Sequence, residues 1–162
     1  MSALTPREKP ILLLGLGNPL QADDGVGCRT AQVLEKESLP DSVQVLDGGT
    51  PGIGLLSLIE GRERVIVIDA AEMGRAAGAV VRLAPDDIAP SGAPVTLSLH
   101  TAGFADALAL AQALKMPLPE MVVFGVQPAR VEWSEELSPA VQAAVGPLVK
   151  AVLREIGASH GE

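Results

Sequence analysis

The chain is short of cysteine, histidine and positive charge, and each shortage removes a class of protein. Its one cysteine, Cys28, cannot form an internal disulfide. Nothing near the N-terminus resembles a signal peptide, so the expected compartment is the cytoplasm. With 12 Lys and Arg against 20 Asp and Glu, the net charge is -8 and the pI near 4.7. Such a surface repels polyanions, which makes nucleic acid and anionic membrane poor partners and favours bound cations. No apolar run approaches the roughly 20 residues needed to cross a bilayer. Internal repeats and low-complexity segments are also missing. A chain of 162 residues that is 48% hydrophobic then suits one domain over 1–162 with a proper core.

What is present is organised around the stretch from Ile11 to Gly27. It passes from an apolar run, Ile11-Leu12-Leu13-Leu14, through Gly15-Leu16-Gly17-Asn18-Pro19, to the adjacent carboxylates Asp23 and Asp24. A short apolar run bounded by Gly and Pro fits a central parallel strand. Open α/β sheets bind ligands beyond the carboxyl ends of their strands, so Asp23 and Asp24 fall where chemistry is usually done.

Along the rest of the chain, Val26, Thr30, Val33 and Leu34 recur at helical spacing until Pro40-Asp41 breaks the pattern. Val43 to Leu46 reads as a second strand, followed by a loop, Asp47-Gly48-Gly49-Thr50-Pro51-Gly52. A helix over Ile53 to Ile59 leads to the β-branched run Val65-Ile66-Val67-Ile68, with Asp69 directly after it. Val80 to Leu83 is a fourth strand, joined to the third by too few residues for a helical crossover. That pair is therefore expected to be antiparallel and near an edge. A long loop from Ala84 to Pro94 contains Asp86-Asp87, a solvated turn. A helix is expected to open at Ser98-Leu99-His100-Thr101, and Val122 to Val126 makes the last strand. After the only tryptophan, Trp133, a final amphipathic helix covers Val141 to Ile156, with a frayed tail from Gly157. The expected fold is α/β: a three-layer sandwich with a mostly parallel twisted sheet of about five strands and helices on both faces.

In such a sheet the loops after the strands share one rim. Asp24, Asp69 and His100 then fall at comparable places, with Asp47 after the second strand. Two carboxylates and an imidazole make a hard-to-borderline site for Ni²⁺, Zn²⁺ or a similar divalent ion. Each residue also has a structural explanation. Asp24 can be a helix cap or Asx turn, and Asp47 can brace its own turn. His100 can be a hydrogen-bonded structural histidine, although a helix N-terminus would keep its ring neutral and ligand-competent. Asp69, flush against an apolar strand, is the hardest to dismiss, because a desolvated carboxylate needs a partner or an ion. Cys28 reads as a small buried hydrophobe. The glycine loop has Leu20 where the dinucleotide fingerprint has its third glycine, and no Walker lysine follows.

Taken in order, Gly15-Leu16-Gly17-Asn18, Asp23-Asp24-Gly25-Val26-Gly27, Asp47-Gly48-Gly49-Thr50, Val67-Ile68-Asp69-Ala70, His100 and Gly125-Val126-Gln127-Pro128 resemble the [NiFe]-hydrogenase maturation endopeptidases, which trim the C-terminus of the hydrogenase large subunit. The resemblance spans nearly the whole chain. It implies a peptidase in which Asp24, Asp69 and His100 correspond to the metal-contacting residues, and Asp47 begins the family's glycine-containing loop. Many members carry Glu where this chain has Asp24. The segment from Asp69 to Ile88 looks most like members serving formate-hydrogenlyase-type enzymes. The metal implied is Ni²⁺ carried by the large-subunit precursor, with no organic cofactor; the implied partner is that precursor, met by a monomer. Whether Asp47 or a ligating carboxylate activates water stays open. No serine or cysteine nucleophile is paired with a histidine, which agrees with direct attack by water. Two rivals remain: a nickel-binding assembly chaperone that does not cut, and peptidyl-tRNA hydrolase, which shares Gly-Leu-Gly-Asn-Pro but needs an early histidine and a basic face that are missing here.

Overall fold

The computed structural model describes residues 9–88, 96–97 and 102–159. His100 and the helix start expected at Ser98 lie outside them. In chain order the elements are β1 (Ile11–Leu16), α1 (Val26–Leu34), β2 (Val43–Gly49), α2 (Leu55–Ile59), β3 (Arg64–Glu72), β4 (Val80–Leu83), β5 (Thr96–Leu97), α3 (Ala102–Ala113), β6 (Glu120–Val126) and α4 (Pro139–Ser159). Five strands form the main sheet in the order β2-β1-β3-β6-β4, and the two-residue β5 pairs with the end of β3. Every pairing among β1, β2, β3 and β6 is parallel, whereas β4 runs antiparallel to β6.

Strand side chains alternate between two apolar layers. Ile11, Leu13, Ile66, Ile68, Val122 and Phe124 pack with Val26 and Leu34 of α1 and with Val141, Leu148 and Val152 of α4. On the opposite face, Leu12, Leu14, Val65, Val67 and Val123 meet Leu55 and Ile59 of α2 and Phe104, Ala107 and Leu108 of α3. The central strands are buried on both faces, which is why they read as unbroken apolar runs rather than as alternation. Each fully buried Leu or Ile contributes about 1.5–3 kcal/mol relative to exposure, so the two layers together hold the sandwich. The expected three-layer α/β architecture is the one observed.

One close approach sets where α1 begins. A Cβ on Gly27 would lie 2.2 Å from the Ile68 carbonyl oxygen and 2.5 Å from that of Leu16. Only glycine lets the first turn of the helix rest on the ends of β1 and β3.

Several sequence expectations need correction. The third and fourth strands are not neighbours, because β6 lies between them. From Met121 to Val126 β6 is buried throughout, and a strand of that kind needs pairing along both edges. The partly exposed β4 closes the outer side, so the expected antiparallel edge strand is present with a different partner. Asp47, Gly48 and Gly49 belong to β2 and not to a loop, with a bulge at Gly48 where Gly15 pairs with Asp47 and Leu16 with Gly49. Asp69 lies inside β3, which continues to Glu72. Val33 faces outward from α1 at 38% exposure and does not join its apolar stripe. At the other terminus, α4 continues through Gly157 to Ser159.

Candidate active site at the strand switch point

The sheet reverses its winding between β1 and β3. From β1 the chain goes out to β2 across one face, then returns through α2 on the other face to β3. The two central strands pair only as far as Gly15 with Ile68. Beyond that point their paths separate and leave the kind of crevice in which doubly wound sheets bind ligands. Asp69 is the first β3 residue past the separation. On the other side it keeps its pairing with Gly125 of β6.

Gly17 is the pivot of this crevice. Its φ of +122° suits glycine alone, and a Cβ there would lie 2.0 Å from the Asp24 carbonyl oxygen and 3.3 Å from Asp69 Oδ1. The Gly17 N–H donates to the Gly49 carbonyl at 2.9 Å, tying the turn to the end of β2. Asn18 then makes a short turn in which its Oδ1 accepts from the Leu20 N–H at 2.9 Å. Its own N–H donates to Asp24 Oδ2 at 2.9 Å. Asp24 and Asp69 are 1% and 0% exposed, so two buried carboxylates converge on one glycine turn.

Asp47 differs from them in being exposed, on β2 beside Gly15. It is connected to the pair through Cys28, a residue whose role sequence reasoning missed. The buried Cys28 thiol donates to the Gly17 carbonyl at 3.3 Å. Burial pushes the Cys28 thiol far up, and the hydrogen bond and charge of Asp47, with the charge of Asp69, push it further. It therefore remains a protonated donor beneath the site, with no thiolate to act as a nucleophile. Its sequence signal was one of spacing: four residues past Asp24, one helical turn on.

Asp23, grouped with Asp24 on sequence, points elsewhere. Its Oδ2 accepts from the Ala129 and Arg130 N–H groups at 2.8 and 3.0 Å and from the Ser138 hydroxyl at 2.7 Å. Oδ1 accepts from the Ser138 N–H at 2.7 Å. Burial pushes the Asp23 carboxyl up, but the hydrogen bonds from Ser138, Arg130 and Ala129 outweigh it and hold the group below its ordinary value. Asp23 thus fastens segment 129–138 and the start of α4 to the rim. Gln127 performs a similar service at β3, accepting from the Met73 and Arg75 N–H groups at 2.8 and 3.2 Å and donating to Glu72 at 2.9 Å.

Of the four predicted site residues, Asp24 and Asp69 are brought together, Asp47 borders them through Cys28, and His100 lies outside the described residues. The chain on either side of His100 is placed: Leu97 pairs with Ala71, two residues past Asp69, and α3 starts at Ala102. Among the described residues, no three His, Cys, Asp or Glu side chains gather in a way that could hold a metal ion.

A buried acidic pair in the switch-point crevice of a doubly wound sheet defines a class of α/β proteins, and comparison with known proteins narrows it. A family model described as hydrogenase maturation protease matches residues 28–155. The hydrogenase expression/formation protein HupD of Rhodobacter capsulatus is 37% identical over 157 residues, 94% of this chain and 75% of HupD. The hydrogenase 2 maturation protease of Escherichia coli K12 is 34% identical over 151 residues, covering 91% of this chain and 92% of that protein. Among solved structures, the hydrogenase maturating endopeptidase HybD of E. coli superposes with a TM-score of 0.80 at 32% identity, over 92% of this chain and 93% of HybD. The chain belongs to the hydrogenase maturation protease family, and it is a peptidase.

Proposed function

We propose that this peptidase removes the C-terminal extension of a [NiFe]-hydrogenase large-subunit precursor after nickel has been inserted. The observation that carries the reading is that both carboxylates border the Gly17-Asn18 turn: Asp24 Oδ2 accepts from the Asn18 N–H, and Asp69 Oδ1 lies 3.3 Å from where a Gly17 Cβ would stand. Carboxylate oxygens at one rim are suited to a divalent ion, and in this reading the precursor presents that ion. Asp24 and Asp69 are the oxygen ligands in this reading. His100, which follows Leu97 and precedes Ala102 in the chain, is the nitrogen ligand in this reading. Nickel is thus part of the substrate: a precursor without it lacks the charge that the crevice recognises.

The chemistry is hydrolysis of one peptide bond. Water adds to the scissile carbonyl, the C–N bond breaks, and the departing amine takes up a proton. Asp47 is the residue assigned to accept the water proton, because it alone of the three aspartates faces solvent. The reaction runs in the cytoplasm with the protease as a monomer. The scarcity of cysteine is in keeping with that compartment, and no helix among the described residues is long and apolar enough to cross a membrane.

The test incubates the purified protein with nickel-loaded and nickel-free precursor and measures the mass of the large subunit. Loss of the extension from the loaded form alone is expected; unchanged mass in both would leave a nickel-binding chaperone as the better description. The same assay with His100→Ala is expected to show no processing and unaltered far-UV circular dichroism. Normal processing by that variant would remove His100 from the ligand set.

A further inference from the structure

The described residues contain three aromatic side chains with known burial, and they divide sharply. Phe104 and Phe124 are 2% and 4% exposed, whereas Trp133 is 75% exposed. No tyrosine exists to share the surface. Two other large apolar side chains, Leu20 at 42% and Val131 at 48%, are exposed on the same pair of backbone-linked segments. The Ser134 N–H donates to the Leu20 carbonyl at 2.9 Å, the Ala22 N–H to the Ser134 carbonyl at 2.7 Å, and the Asp23 N–H to the Arg130 carbonyl at 3.2 Å. Gln21 and Ser134 also form a parallel bridge. These bonds hold Leu20, Val131 and Trp133 as one apolar patch on the rim, within a few residues of Asp24. Nothing in the core packing requires them to be apolar.

We infer that Leu20, Val131 and Trp133 form the surface on which the large-subunit precursor docks. This rests on the reading of the crevice given above and adds to it the means by which the body of the precursor is held. Two observations select the occupant. The patch is continuous with the candidate active site, because the loop bearing Leu20 is the loop that delivers Asp24 and segment 129–138 is latched to it by all four Asp23 hydrogen bonds. The charge on the segment is mainly negative: Glu132, Glu135 and Glu136 are exposed, its own cation Arg130 pairs with Glu132 at 3.7 Å, and the one neighbouring cation described, Arg29 of α1, donates to the Glu135 carbonyl. The complementary face on the precursor is therefore an apolar cluster ringed by Lys and Arg, next to the bond to be cut. An exposed tryptophan at the centre of such a patch is the kind of side chain that dominates interface energetics, with the charged rim setting orientation and encounter rate.

Processing rate against precursor concentration separates docking from chemistry. With nickel-loaded precursor, Trp133→Ala is expected to raise KM by about 10-fold or more with kcat unchanged, as loss of an interface hot spot does. Glu135→Lys combined with Glu136→Lys is expected to raise KM by a smaller factor and to weaken its dependence on salt. In the free protein, the single tryptophan should be fully open to acrylamide quenching and the protein should sediment as a monomer. A Trp133→Ala variant whose KM lies within a factor of about two of the parent would overturn the docking surface and leave the peptidase reading standing. A free protein that sediments as a dimer with Trp133 protected would assign the patch to a second copy of this chain and overturn it too. Failure of the parent protein to process any precursor would overturn the reading beneath both.

Discussion

Asp23 and Asp24 are neighbours in the chain and almost equally buried, yet one serves the structure and the other the crevice. The Asp23 carboxylate accepts from Ala129, Arg130 and Ser138, and these bonds hold it below the ordinary range against the opposing effect of burial. The Asp24 carboxylate instead accepts from the Asn18 N–H, at the turn that Asp69 Oδ1 also borders. Just ahead of the pair the backbone is strained. Ala22, just before Asp23, has φ of 51°, a left-handed conformation that costs a non-glycine residue about 1–2 kcal/mol. Burial by itself thus says little about whether a carboxylate is functional. Which segment its donors belong to says more.

The largest effect expected from breaking this pair apart is on activity. Asp24→Asn and Asp69→Asn keep shape and can still accept a hydrogen bond, but each removes a charge from the crevice. Either should lower processing by about 10³-fold or more with little change in melting temperature, measured by precursor mass and thermal unfolding. Asp23→Asn should do the reverse. Replacing one acceptor oxygen by an NH₂ group opposes the N–H donors of Ala129, Arg130 and Ser138, so unfolding should become easier by about 1–3 kcal/mol while well-folded samples still cut. Activity loss in the Asp23 variant at a temperature where it is fully folded would erase the distinction.

The pivot between the two carboxylates comes next. Gly17→Ala forces a Cβ into the Asp24 carbonyl at 2.0 Å and places alanine at φ +122°. Destabilisation of about 2–4 kcal/mol is expected, together with loss of processing, because the turn cannot stay where it is. Retained activity would show that the crevice tolerates a shift of the whole loop.

The smallest effect sharpens the contrast from outside the crevice, in an ion-pair network. Glu155 on α4 accepts from Arg82 of β4 at 2.8 and 2.9 Å and pairs with Arg64 of β3. The Arg82 hydrogen bonds come first among the causes that hold the Glu155 carboxyl down at about 2; Arg64 adds to them and partial burial opposes them. A carboxylate depressed on folding stabilises the native state above its unfolded value near 4.5, and that contribution is lost as pH falls from there towards 2. Arg82 is 55% exposed, so solvent screens the network and its contribution is about 1 kcal/mol. Denaturant unfolding of Glu155→Gln should therefore show a deficit at neutral pH that disappears at the acid end, with processing unaffected. A deficit independent of pH would point to packing instead.

Much of this was legible in the sequence because it depends on local pattern. Apolar runs such as Ile11 to Leu14 and Val65 to Ile68 mark strands buried on both faces, and their alternation with helical spacing leads to a three-layer sandwich. What escaped depends on contacts across long stretches of chain. The neighbour of β4 is chosen by β6, about 40 residues further on. The Asp23 latch has partners more than a hundred residues away, although Ser138 before Pro139 has the form of a helix start with a side chain able to bond outward. Two residues, Thr96 and Leu97, are too few to leave a periodic signal, so β5 was invisible. Asp47 to Gly49 looked like a turn because glycines read the same in a bulge as in a loop.

The separation of β1 from β3 has one last consequence, and it concerns synthesis. Asp24 leaves the ribosome more than 40 residues before Asp69, and the two meet only once α1, α2 and both flanking strands have docked. A half-made or partly melted copy therefore lacks the paired carboxylates that the proposed cutting centre requires. In a crowded cell, that makes the enzyme harmless to its neighbours until its own assembly is finished.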